Sequence, residues 1–142
     1  MRLALLLSLA VGACAPQAPT AEPSTPVRYQ KPTAASDAPL AEVSVIREAD
    51  GTALVGVVFR EAVPVQAGRP ANIEMGDGTL VAEHVAGPEL ASGPLTQFSL
   101  SYRLGRDDAR RMAQGASTAT IALYDGSDWR SYPFVRSDVI TN

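Results

Sequence analysis

Cysteine occurs once in the 142 residues, at Cys14, and histidine once, at His84. A single thiol excludes an internal disulfide, and one imidazole beside it cannot supply the clustered His and Cys of a zinc or iron centre. A serine hydrolase needs a base next to its nucleophile; His84 is the only candidate, and no Gly-x-Ser-x-Gly elbow accompanies it. No glycine-rich phosphate cradle is present. Basic residues are outnumbered, 12 against 15 acidic ones, and form no stripe with interleaved aromatics, which argues against a nucleic-acid partner. The apolar run near the start, residues 3–11, has about half of the roughly 20 residues that a spanning helix needs.

That short run is informative because of what brackets it. Arg2 precedes it as a positive n-region, and Val11-Gly12-Ala13-Cys14 closes it with two small residues and the lone cysteine. Signal peptides have this shape. A cysteine directly after Val-Gly-Ala resembles the bacterial lipobox, in which the sulfur takes diacylglycerol before cleavage. Residues 1–13 are therefore expected to be a lipoprotein signal peptide, and Cys14 the site of lipid attachment. At roughly 0.8 kcal/mol per buried methylene, two or three acyl chains such as palmitate hold a protein on a bilayer essentially permanently. Ala15 after the cysteine, in place of aspartate, favours the outer membrane by the sorting rule of enteric bacteria, with the folded part facing the periplasm.

Residues 15–39 consist largely of Ala, Pro, Thr, Ser and Gln, with prolines at 16, 19, 23, 26, 32 and 39. Such a stretch buries too little apolar surface to offset its ordering entropy. A disordered linker over 14–39 is expected, reaching at most about 75 Å at roughly 3.1 Å per residue.

Residues 40–142 are enough for one core. They carry 9 basic and 13 acidic residues, a net of −4. Strands are expected at 43–47 and 52–60, joined through Asp50-Gly51, the dipeptide of a two-residue hairpin turn. Residues 54–59 are apolar on both faces with Gly56 in the middle, which suggests a strand that is central or covered on both sides. Alternation places Ala71, Ile73 and Met75 on one side of a half-buried strand, and 79–85 follow after Gly76-Asp77-Gly78. Gly87-Pro88 and Gly93-Pro94 bracket an expected loop. The clearest strand is 97–104, with Phe98, Leu100, Tyr102 and Leu104 inward. One short helix, capped by Asp107 or Asp108 and ending at Gly115, carries Arg110, Arg111 and Met112. Residues 118–124 alternate again, and Asp125-Gly126-Ser127-Asp128 turns them into a last strand at 129–135. Seven short strands with one short helix predict an all-β, antiparallel β-sandwich or barrel; the expectation adopted is the sandwich.

The order of these segments resembles the small-lipoprotein family that includes YbaY and the type III secretion pilotin YscW. The likeness is carried by Leu54-Val55-Gly56-Val57-Val58-Phe59-Arg60-Glu61, then Pro64 and Gly68-Arg69-Pro70, by Leu80-Val81-Ala82-Glu83-His84, and by Gln97-Phe98-Ser99-Leu100-Ser101-Tyr102 before Ala109-Arg110-Arg111. Residues 119–124 and Tyr132-Pro133-Phe134 complete it. Where that family usually has an Asp-Pro pair after the central aromatic strand, this chain reads Arg103-Leu104-Gly105-Arg106-Asp107-Asp108. The resemblance implies a compact β-sandwich lipoprotein; in the pilotin branch such a domain binds an outer-membrane secretin subunit and helps it to assemble.

Other side chains with chemistry have ordinary explanations. Asp125, Asp128 and Asp77 offer oxygens but lack the regular spacing of a calcium loop, and turn formation accounts for them. Asp107 and Asp108 point about 100° apart on a helix beside arginines, which suits capping better than acid–base work. Trp129 and tyrosines 102, 124 and 132 are too few for a carbohydrate platform, and one or two fill the core. The chain is thus expected to be no enzyme, to hold no cofactor or metal, and to be a lipid-anchored envelope module that binds or escorts another envelope protein, a secretin or assembly factor. The rival expectation is a periplasmic enzyme inhibitor acting through a loop at residues 88–94, or a small-ligand carrier with a cavity between sheets.

Overall fold

The computed structural model describes residues 27–32, 37–76, 78–115 and 118–140, so Cys14 and Asp77 lie outside the described residues. In chain order the elements are β1 (Ala41–Arg47), β2 (Ala53–Phe59), β3 (Ala71–Met75), β4 (Gly78–Ala91), β5 (Gln97–Leu104), α1 (Arg106–Gln114), β6 (Thr118–Tyr124) and β7 (Trp129–Ile140). The fold is all-β with one short helix.

The expected two-layer sandwich is corrected by the topology. One sheet in the order β1-β2-β5-β4-β3-β6-β7 closes on itself as a barrel. Neighbours pair antiparallel except at the closure, where β1 runs parallel to β7 with Ala41 opposite Phe134 and Ile46 opposite Ile140. Period-two alternation is the same in both architectures; what separates them is whether the first and last strands find each other, a contact about 90 residues apart that no local pattern encodes.

Alternate side chains point inward. Val43, Val45, Val55, Val57, Phe59, Ile73, Leu80, Leu100, Tyr102, Leu104, Ile121, Leu123 and Phe134 are all at most 2% exposed. Phe59 meets Tyr132 edge-on at 5.0 Å and Phe98 at 6.4 Å, so the lumen is filled by side chains. Each large apolar group so buried stabilises the fold by about 1.5–3 kcal/mol. On β2 the outward residues Leu54, Gly56 and Val58 are only half-buried, because a closed barrel has no second layer to cover them.

The passage from β5 to β6 skips two intervening strands, and α1 lies in that connection. Its Ala109 and Met112, three residues apart and so on one helical face, join the interior cluster and close the barrel mouth at the end of β3. The capping expectation for Asp107 and Asp108 is corrected. Gly105 is the N-cap and no side chain caps the helix; the two acids sit in its first turn, where the dipole favours them, and Asp108 pairs with Arg111 at 3.5 Å.

Two turns also differ from expectation. Arg47 opposes Ala53, and Glu48 N–H donates to the Thr52 carbonyl at 2.9 Å, leaving three residues in the loop, with Gly51 at φ +90°. This is the turn that ends in a left-handed glycine, and Asp50 serves it by accepting from the Thr52 amide at 2.9 Å and hydroxyl at 2.6 Å. The expected loop at 88–94 is mostly strand: β4 runs to Ala91 through register shifts between His84 and Glu89. Gly87 (φ +92°) and Pro88 belong to these bulges, which bend a strand without ending it.

Candidate functional site

Polar and aromatic groups converge where β6 turns into β7, at the mouth opposite α1. Tyr124 and Trp129 are direct cross-strand partners on the outward face, their rings 5.3 Å apart. The four-residue turn between them is organised by Asp125. One oxygen accepts from the backbone amides of Ser127 and Asp128, each at 2.7 Å; the other accepts from Arg130 Nε at 2.7 Å. The Asp128 amide, Arg130 and the Ser127 amide together hold the Asp125 carboxyl down at about 2. Asp125 and Asp128 therefore build a turn, in keeping with the sequence reading.

The chain before β1 contributes to this corner. Residues 27–32, inside the stretch expected to be a free linker, lie against the barrel. The Tyr29 ring stands edge-on to Trp129 with centroids 5.1 Å apart, and the indole Nε1–H donates to the Arg28 carbonyl at 3.2 Å. The Tyr29 hydroxyl donates to Glu74 Oε1 on β3, whose other oxygen accepts from Thr79 Oγ1 at 3.0 Å. Partial burial and the neighbouring Glu74 carboxylate raise the Tyr29 hydroxyl's pKa. From the loop before β3, Arg69 stacks over Tyr124 at 5.9 Å and donates from Nε to Gln66 Oε1 at 3.0 Å, while the backbone N–H of Gln66 donates to the Tyr124 carbonyl at 2.7 Å.

Between Glu74 and the Tyr124–Trp129 pair, on the same outward face, Asn72 stands opposite Ala122. Both are buried, at 4% and 0% exposure, although they point away from the lumen. Tyr29, with its ring on Trp129 and its hydroxyl on Glu74, reaches across the same face. Open clefts flank the indole. One, of about 500 Å³, includes Arg28, Lys31, Tyr124 and Asp128 in its lining; the other, of about 530 Å³, lies between Asp37, Glu61, Pro64 and Arg130.

The remaining sequence candidates are placed apart. His84 Nε2 is 2.8 Å from the Gly87 carbonyl, and its ring meets Tyr102 edge-on at 5.8 Å, so it belongs to the β4–β5 packing. Tyr102 and Tyr132 are buried in the lumen, where desolvation raises both hydroxyl pKa values. Among the described residues no three His, Cys, Asp or Glu side chains gather as metal ligands. Tyr29, Glu74 and Ala122 were not singled out in the sequence. Tyr29 sits in a proline-rich context that reads as spacer, and the reach from residue 29 to residue 129 is a tertiary fact. Compared with protein-family profiles, curated proteins and solved structures, the chain matches none.

Proposed function

We propose that this chain is a lipid-anchored envelope protein, facing the periplasm from the outer membrane, whose barrel binds or escorts another envelope protein without transforming it. The observation that carries this reading is Val11-Gly12-Ala13-Cys14 at the end of a nine-residue apolar run. The geometry supports the binding half of it. Among the described residues the lumen is packed with side chains, which favours recognition at the outer surface. The likeness to the YbaY and YscW lipoproteins points in the same direction, towards a secretin or assembly factor as partner.

Fractionation of cells tests the anchor. Wild type is expected in the outer-membrane fraction and Cys14→Ser in the soluble periplasm with its domain folded; a Cys14→Ser protein that stays with the membrane overturns the reading. Crosslinking and purification from cells then identify what is held.

A second reading has its own observation. The tip of the β4–β5 hairpin carries Leu90 and Leu95 at 57% and 64% exposure, an apolar wedge of the kind that enters an enzyme cleft. An inhibitor would crosslink to a hydrolase through this tip, and Leu90→Asp with Leu95→Asp would abolish the contact. An escort bound elsewhere would keep its partner after the same change.

A further inference from the structure

The outward face of β3, β6 and β7 grips a stretch of polypeptide as a receptor would. Trp129 Nε1 takes a main-chain carbonyl, that of Arg28, a contact indifferent to side-chain identity. One side chain is read closely: the Tyr29 ring lies against the indole and ends with its hydroxyl on Glu74. Residues 27–32 carry Arg28 and Lys31 and no acid, and they lie on a domain whose net charge is −4. Backbone contact for affinity and one pocketed side chain for selectivity is the division of labour in extended-peptide recognition.

We propose that this corner is a binding site for an extended, basic, tyrosine-bearing peptide segment, which the chain's own residues 27–32 occupy in cis. A partner segment of the same chemistry enters by displacing Tyr29. Because the resident segment is covalently attached, its effective concentration is on the order of millimolar, and a free competitor with similar contacts stays excluded until it exceeds that level or the clasp is removed. This goes beyond the envelope reading and stands without it, since none of its measurements depends on lipidation.

The sole tryptophan of the chain reports directly on the site. The test uses the full chain carrying Cys14→Ser to keep it in solution, with Trp129 excited selectively and circular dichroism as the folding control. Tyr29→Ala is expected to shift Trp129 emission to the red and to raise its quenching by acrylamide roughly twofold, with the β-sheet signal unchanged. The hexapeptide Val-Arg-Tyr-Gln-Lys-Pro, added to the Tyr29→Ala chain, is expected to restore the original emission in a saturable way. It should leave the unsubstituted chain unaffected at the same concentration. The phenylalanine version of the peptide is expected to bind roughly tenfold more weakly, because it lacks the hydroxyl that donates to a charged acceptor, as is the tyrosine peptide to Tyr29→Ala combined with Glu74→Gln, where the acceptor loses its charge. Trp129 emission that is identical with and without Tyr29 overturns the proposal. So does a peptide that fails to bind at millimolar concentration, or binds equally well with phenylalanine.

Discussion

At the scale of single residues, conformation and protonation carry sharp consequences. Gly87 holds φ +92°, and a Cβ added there would lie 2.6 Å from the Ser99 carbonyl oxygen, a backbone atom that cannot step aside. Left-handed backbone alone costs a residue with a side chain about 1–2 kcal/mol. Gly87→Ala is therefore expected to lower unfolding stability by about 2 kcal/mol or more, seen as an earlier midpoint in urea. Asp125 sets a pH dependence. Its carboxyl titrates near 2 in the folded chain against 3.8 normally, so its contribution is fully present above pH about 4 and is lost as pH falls from 3.8 towards 2. Asp125→Asn is expected to flatten the decline of stability over that window in acid titrations, and Asp125→Ala to lose about 1 kcal/mol near neutral pH through its unfilled turn amides.

At the scale of elements, helix α1 matters less for its own stability than for what it seals. Nine residues form a marginal helix in water, and this one has no side-chain cap, so its order comes from docking. Met112 is fully buried, and its carbonyl accepts from Arg136 Nη1 of β7 at 2.6 Å, tying the helix end to the strand that closes the barrel. Met112→Ala is expected to cost about 2–4 kcal/mol, and calorimetry should show one lowered transition, because the vacated space opens into the common core. The bulged second half of β4 sets the opposite problem. Its glycine and proline read as breakers along the chain, yet pairing with β5 carries the strand through them from Glu83 to Ala91.

At the scale of the whole molecule, closure between β1 and β7 decides the architecture. A chain ending at Val135 keeps Ala41 and Glu42 paired and loses the partners of Val43, Val45 and Ile46. Such a truncation is expected to unprotect β1 and β2 amides together in hydrogen exchange and to weaken the whole fold; a two-layer sandwich would only fray at an edge. Much of this molecule was legible along the chain. The inward sets Phe98, Leu100, Tyr102 and Leu104, and Ile121 with Leu123, follow from period-two alternation, and the helix ending at Gly115 follows from its flanking residues. The Asp125 turn was legible for the same reason: its hydrogen bonds span two or three residues. Tyr29 on Trp129 was not, because a tyrosine in a proline-rich stretch looks the same whether it is solvated or docked. By itself the sequence determined which residues face a core, how many strands there are and the short helix between the last pairs, since those depend on neighbours a few positions apart. Only the tertiary structure decided that the sheet closes through a parallel first and last strand and that residue 29 lies on residue 129, since both are contacts across most of the chain whose stabilisation exists only once the intervening segments have folded.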